Sequence, residues 1–101
     1  MSGAELIAAE RQRQIEAEGY SPQHDDDLVT CDLAGIAYAV DSLDPHPLRR
    51  GDAYWEWWPW SRESWKPTGD RVTDLTKAGA LIAAEIDREL RMRAAEAEVP
   101  A

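Results

Sequence analysis

The stretch that decides the fold is DRVTDLTKAGALIAAEIDRELRMR, Asp70–Arg93. In it Val72, Leu75, Gly79, Ile82, Ile86 and Leu90 step by three or four residues, the spacing of one face of an α-helix. This predicts a helix over 70–93. Ala78, Gly79 and Ala83 keep its apolar side narrow, so that a second helix or an indole can come close. Asp87 to Arg91 and Glu89 to Arg93 are oppositely charged pairs one turn apart and support the same helix. The residues after it, AAEAEVPA, are expected to fray as a tail over 94–101.

Toward the N-terminus the signals are again helical. SGAE, Ser2–Glu5, is a capping box: the Ser2 hydroxyl can accept from the Glu5 amide while the Glu5 carboxylate reaches back. Ala4, Ile7, Ala8 and Ile15 then share a face, and Gly19 followed by Tyr20, Ser21 and Pro22 stops the helix, giving 3–18. After the acidic turn QHDDDLVT, Leu33, Ile36, Ala37 and Val40 mark a second helix over 28–41, which DSLDPHP terminates. Asp26, Asp27 or Thr30 caps its start, and the sequence does not choose among them.

From 44 to 69 the helical period disappears, interrupted by Pro45, Pro47, Pro59, Pro67, Gly51 and Gly69. All five tryptophans lie here, in DAYWEWWPWSRESWKP, Asp52–Pro67, and the chain has no Phe. A loop of this length is uncommon in a compact domain unless function or packing holds it. With no strand alternation and no internal repeat, the expected fold is all-α. It is a small three-helix domain over 1–93 with a long irregular Trp-rich loop between the second and third helices. At 101 residues the core is thin, so most indoles are expected to fill it.

The net charge of −9 disfavours direct binding to nucleic acid, whose backbone is met by Lys and Arg. The single Cys31 rules out an internal disulfide and a metal-binding Cys pair. The N-terminal sequence is neither a signal peptide nor a membrane span, so a cytoplasmic protein with no membrane partner is expected. The familiar catalytic patterns HExxH, P-loop, GxSxG and CxxC are absent.

Three groups of residues stand out as candidates for function. Arg11 falls between Ile7 and Ile15 on the apolar face of the first helix, with Gln14 and Glu18 beside it. A guanidinium there needs a partner, from the acids of HDDD, from Glu18 or from a ligand. The second group, His24, Asp25 and Asp26 with Asp27, carries donors suited to a divalent cation, and equally the caps expected ahead of a helix. The third is the aromatic loop. Trp57, Trp58, Trp60 and Trp65 with Lys66 combine apolar area, N–H donors and a cation, the composition of a binding hot spot. Arg49, Arg50, Arg62 and Arg71 flank the same loop, which suits an anionic ligand or partner.

The motifs ERQRQIEAEGYSPQHDD, WPW with WKP, and DLTKAGALIAAEIDREL, in that order, resemble a family of short proteins encoded by tailed phages and prophages. The resemblance runs from about Glu5 to Leu90. It implies shared roles for Glu10, Arg11, Gln14, Glu18, Gly19, His24, Asp25 and Asp26, and for Trp58, Pro59, Trp60, Lys77, Ala78, Gly79 and Glu85. Tyr20 stands where many relatives carry tryptophan. A fainter similarity is to the all-helical MazG-like nucleotide pyrophosphohydrolases, which hold Mg²⁺ on helical carboxylates. It would make Glu18, Asp25, Asp26 and Glu85 the metal candidates, with Glu10 a further acid. Here the paired ExxE and ExxD pattern is not clean, and ERQRQ places Arg and Gln where acids belong.

These readings favour a small intracellular phage-type binding protein. Its expected partner is a host protein, such as a defence or nucleic-acid enzyme it would inhibit, or a small anionic ligand such as a nucleotide. The alternatives are a Mg²⁺-dependent nucleotide pyrophosphohydrolase and a structural subunit of a phage assembly. The narrow face of the third helix also admits a homodimer.

Overall fold

The computed structural model describes residues 1–19, 31–43, 58 and 60–98. The fold is all-α. Its described helices are α1 (Gly3–Ala17), α2 (Cys31–Asp41) and α3 (Arg71–Glu98), with a 3₁₀ turn at Arg62–Ser64 inside the Trp-rich segment. There is no strand among the described residues. α3 is the spine, and both α1 and α2 pack against it.

The helix ends follow from local chemistry. The Ser2 hydroxyl accepts from the Glu5 amide at 3.2 Å and the Ser2 amide donates to Glu5 Oε1 at 3.1 Å, which completes the capping box on α1. Gly19, with φ of 74°, lies just past the C-terminal cap Glu18 in the left-handed region that glycine tolerates. At the start of α3, Asp70 Oδ2 accepts from the Thr73 amide at 3.1 Å. Asp74 Oδ1 accepts from both the Thr68 amide (3.0 Å) and the Thr68 hydroxyl (2.8 Å), pinning the incoming chain to the first turn. α3 continues through Ala94–Glu98, where the sequence reading expects a frayed tail. Alanine and glutamate favour the helix, and no proline intervenes before Pro100.

The inward faces of α2 and α3 are rotated from those the apolar periodicity suggests. On α3 the buried positions are Asp74, Ala78, Ala80, Leu81 and Ala84, whereas Val72, Leu75, Ile82, Ile86 and Leu90 are exposed to 37–60%. On α2 the buried residues are Ala34, Gly35, Ala37, Tyr38 and Asp41, while Leu33 and Ile36 are exposed and Val40 is half-buried. On α1 Ala4 and Ala8 are exposed, but Ile7, Arg11 and Ile15 are half-buried and Gln14 is buried, so the expected face of α1 does turn inward.

The cause is steric. A core that must take indoles and a tyrosine against closely spaced helices leaves room for alanine and glycine on the helices themselves. Close approach is required at two glycines. A Cβ on Gly35 would lie 2.9 Å from the Ala78 carbonyl oxygen, and one on Gly79 would lie 2.6 Å from Ile7 Cδ1. Gly35 thus marks where α2 meets α3, and Gly79 where α1 does.

The core gathers Ala34, Ala37 and Tyr38 from α2, Ala78 and Leu81 from α3, and Trp58 and Trp65, with Trp60 packed on its edge. Tyr38 sits 4.5 Å from Trp65, centroid to centroid, and meets Trp58 edge-on at 5.2 Å. Trp58 in turn contacts Trp65 at 5.2 Å and Trp60 edge-on at 4.7 Å. Each such aromatic pair adds about 0.5–1.5 kcal/mol beyond the area it buries. Trp55 and Trp57 lie outside the described residues.

Candidate functional site

Around this aromatic cluster four chain segments meet at a recess. The end of α1 brings Arg13, Gln14 and Glu18, and α2 brings Tyr38. The Trp-rich segment brings Trp58, Ser64 and Lys66, and α3 brings Lys77 with Leu81 one turn further on. The cavity measures about 30 Å³. One water-sized group needs roughly 10–15 Å³, so it admits about two such groups, for instance two oxygens of an oxyanion.

The walls are tied together by hydrogen bonds. Trp58 Nε1 donates to Ser64 Oγ at 2.8 Å, and Ser64 Oγ donates to the Ser61 carbonyl at 2.7 Å. The Tyr38 hydroxyl accepts from the Lys66 amide at 3.0 Å, which ties α2 to the aromatic segment and sets where Lys66 leaves the backbone. Gln14 is 3% exposed, and its Oε1 is buried with no hydrogen-bond partner among the described residues. Leaving such an acceptor unmet costs free energy unless a ligand or water completes it.

The charges are arranged unevenly. The Arg13 guanidinium is bound by Glu10 and also meets Glu18, Nη1 to Oε1 at 3.2 Å. The hydrogen bond it donates to Glu10, foremost, holds its proton affinity above the ordinary arginine value, with Glu18 adding to it. By contrast Lys66 and Lys77 have no carboxylate partner among the described residues. Lys77 Nζ lies 6.0 Å from the Tyr38 ring centroid, at the outer edge of cation–π distance. These two are the only lysines in a chain of net charge −9. Three cations against one carboxylate therefore line a cavity in an acidic protein.

No family model, curated protein or solved structure matches this chain.

Of the residues singled out in the sequence, Gln14, Glu18, Trp58, Lys66 and Lys77 come together at the recess. Arg11 is drawn inward as its place on the helical wheel suggests, its side chain 12% exposed, but it turns to Asp87 of α3, Nε to Oδ2 at 3.9 Å. Trp65 is buried in the core, and Trp60 packs beside Trp58; neither lines the recess. Glu85 is engaged by Arg88, with Nη2 to Oε1 at 2.6 Å. His24, Asp25, Asp26 and Trp57 lie outside the described residues, and among those described there is no cluster of acids, His or Cys able to hold a metal. Equally, no helix among them is long and apolar enough to cross a membrane.

The recess residues that the sequence did not single out are Arg13, Tyr38, Ser64 and Leu81, while Lys77 stood out there only through the family resemblance. One signal was available: a chain with nine arginines and two lysines makes each lysine a marked position. Lysine is a compact point charge with rotatable donors, suited to an anion without planar geometry.

Proposed function

We propose that this protein is a small binding protein that captures an anionic ligand of low molecular mass in the recess between α1, α2, α3 and the aromatic segment. The observation that carries this reading is the convergence of both lysines, neither of them ion-paired among the described residues, on a cavity walled by Gln14, Tyr38 and Trp58. Lys66 and Lys77 supply the charge, Gln14 offers a carboxamide, and the aromatic wall excludes water and strengthens the electrostatic attraction. Glu18, held by Arg13, closes one side and limits the anion's size.

Thermal unfolding and Trp fluorescence, recorded against inorganic phosphate, simple carboxylates and nucleotides, test it, because Trp58 forms part of the wall. A ligand of the native state at a hundredfold excess over Kd raises stability by about 2.7 kcal/mol. Lys77→Gln should remove that gain for the anion that binds, whereas Arg93→Gln, remote on α3, should not. A gain that survives Lys77→Gln and Lys66→Gln together would overturn the reading.

A second reading, engagement of a protein partner, is favoured by the exposure of Ile82 (39%), Ile86 (55%) and Leu90 (56%) on successive turns of α3. A host protein or a second copy of this chain would cover that strip. Ile86→Glu should then abolish the association while leaving anion binding intact.

A further inference from the structure

The recess does not end at its lysines. Arg13 and Lys77 also line a second, larger groove of about 420 Å³ between α1 and the first turns of α3. Its surface is mainly Leu6 and Ala9 on one side and Val72 with Thr73 and Thr76 on the other. The polar groups along it are already engaged. Thr76 Oγ1 donates to the Val72 carbonyl at 2.7 Å, Thr73 Oγ1 donates to Asp70 Oδ2, and Glu10 is bound to Arg13. What the groove offers a ligand is apolar surface leading to two cations that it shares with the smaller cavity.

We propose that the ligand is a single-chain amphiphilic anion, with its carboxylate or phosphate head at Lys66 and Lys77 and its aliphatic chain laid along Leu6, Ala9 and Val72. This rests on reading the recess as an anion site and adds what the rest of the ligand must be. The sizes agree with the division of labour. A cavity of about 30 Å³ takes head-group oxygens, and a groove of about 420 Å³ is far larger than a head needs. A nucleotide fits less well, because a base edge is read by free donors and acceptors, and the threonine protons here are spent within the start of α3. The ligand is taken from solution rather than from a bilayer, since a net charge of −9 is repelled by an anionic membrane surface.

The experiment is a fluorescence or calorimetric titration of the full chain with methyl, butyl and octyl phosphate, each below its micellar concentration. Octanoate, octanol and AMP are run beside them. Affinity should rise about fourfold for each methylene that enters the groove, the free-energy increment of burying one. The double variant Leu6→Ser/Val72→Ser should flatten this rise and keep the methyl phosphate affinity, while Lys77→Gln should weaken every phosphate. Circular dichroism of both variants checks that they fold, and Val72, at 60% exposure, is not a core residue.

Octanoate binding like octyl phosphate would assign the head site to oxyanions in general, and much weaker octanoate binding would assign it to phosphates; both support the proposal. If methyl phosphate binds and chain length makes no difference, the amphiphile is wrong and the small-anion site stands. AMP binding more tightly than octyl phosphate would replace the aliphatic ligand with a nucleotide. Octanol binding as well as octyl phosphate, or no binding by any anion, would sink the anion site together with the amphiphile.

Discussion

Asp74 shows how a single acid can fix a chain path. It is fully buried, and its Oδ1 holds both the amide and the hydroxyl of Thr68, so the end of the aromatic segment is pinned to the first turn of α3. Asp74→Ala would leave the Thr68 amide unmet and should lower unfolding free energy by about 1–3 kcal/mol in a denaturant titration. Glu5 acts at the opposite end of the molecule. Its carboxylate is held below the ordinary 4.5, chiefly by the Ser2 backbone amide and then by the Ser2 side chain. A depressed carboxylate stabilises the fold above its unfolded value, and the contribution fades as pH falls through the lower folded value. Stability measured below about pH 4.5 should therefore fall more steeply in the wild type than in Glu5→Gln, and parallel curves would deny the capping box that role.

For the helices, the decisive contacts are the two glycine crossings. Replacing glycine by alanine inside a helix is favourable by up to about 1 kcal/mol on propensity alone. At Gly79 the new methyl group meets the Ile7 side chain, which can turn aside, so Gly79→Ala should stay within about 1 kcal/mol of wild type. At Gly35 it meets the Ala78 carbonyl oxygen of α3 itself, and backbone cannot yield without moving a helix. Gly35→Ala should therefore cost about 1–2 kcal/mol despite the propensity gain. Equal stabilities for the two variants would mean that α2 does not approach α3 as closely as described. The Gly79 crossing was visible in the sequence as part of a narrow face. The Gly35 crossing was not, because the apolar residues Leu33 and Ile36 drew the reading to another side of α2.

The whole molecule carries −9, yet its recess gathers cations. Self-repulsion of the surface acids opposes the compact state, and salt screens it: the Debye length shrinks from about 30 Å at 0.01 M to about 8 Å at 0.15 M. Raising ionic strength over that range should raise the thermal midpoint of the free protein. A midpoint that falls instead would show that local pairs such as Glu10–Arg13 and Glu85–Arg88 outweigh the net charge.

The sequence by itself determined that the chain is helical, where α1 begins and ends, that α3 is the long element, and that tryptophans supply core volume. These are local matters: caps, breakers, period and the count of large side chains act through near neighbours or total volume. Tertiary structure alone decided which face of α2 and of α3 turns inward. A wheel of apolar residues assumes that the largest point to the core, whereas here Trp58, Trp65 and Tyr38 occupy that space and alanines face them. The candidate site was legible in pieces, through Gln14, Glu18, Trp58 and Lys66 and, by the family resemblance, Lys77. Its assembly was not, because Gln14 and Lys77 are brought to one cavity by two helix crossings and an aromatic anchor, and long-range packing of that kind leaves no spacing in the sequence to read.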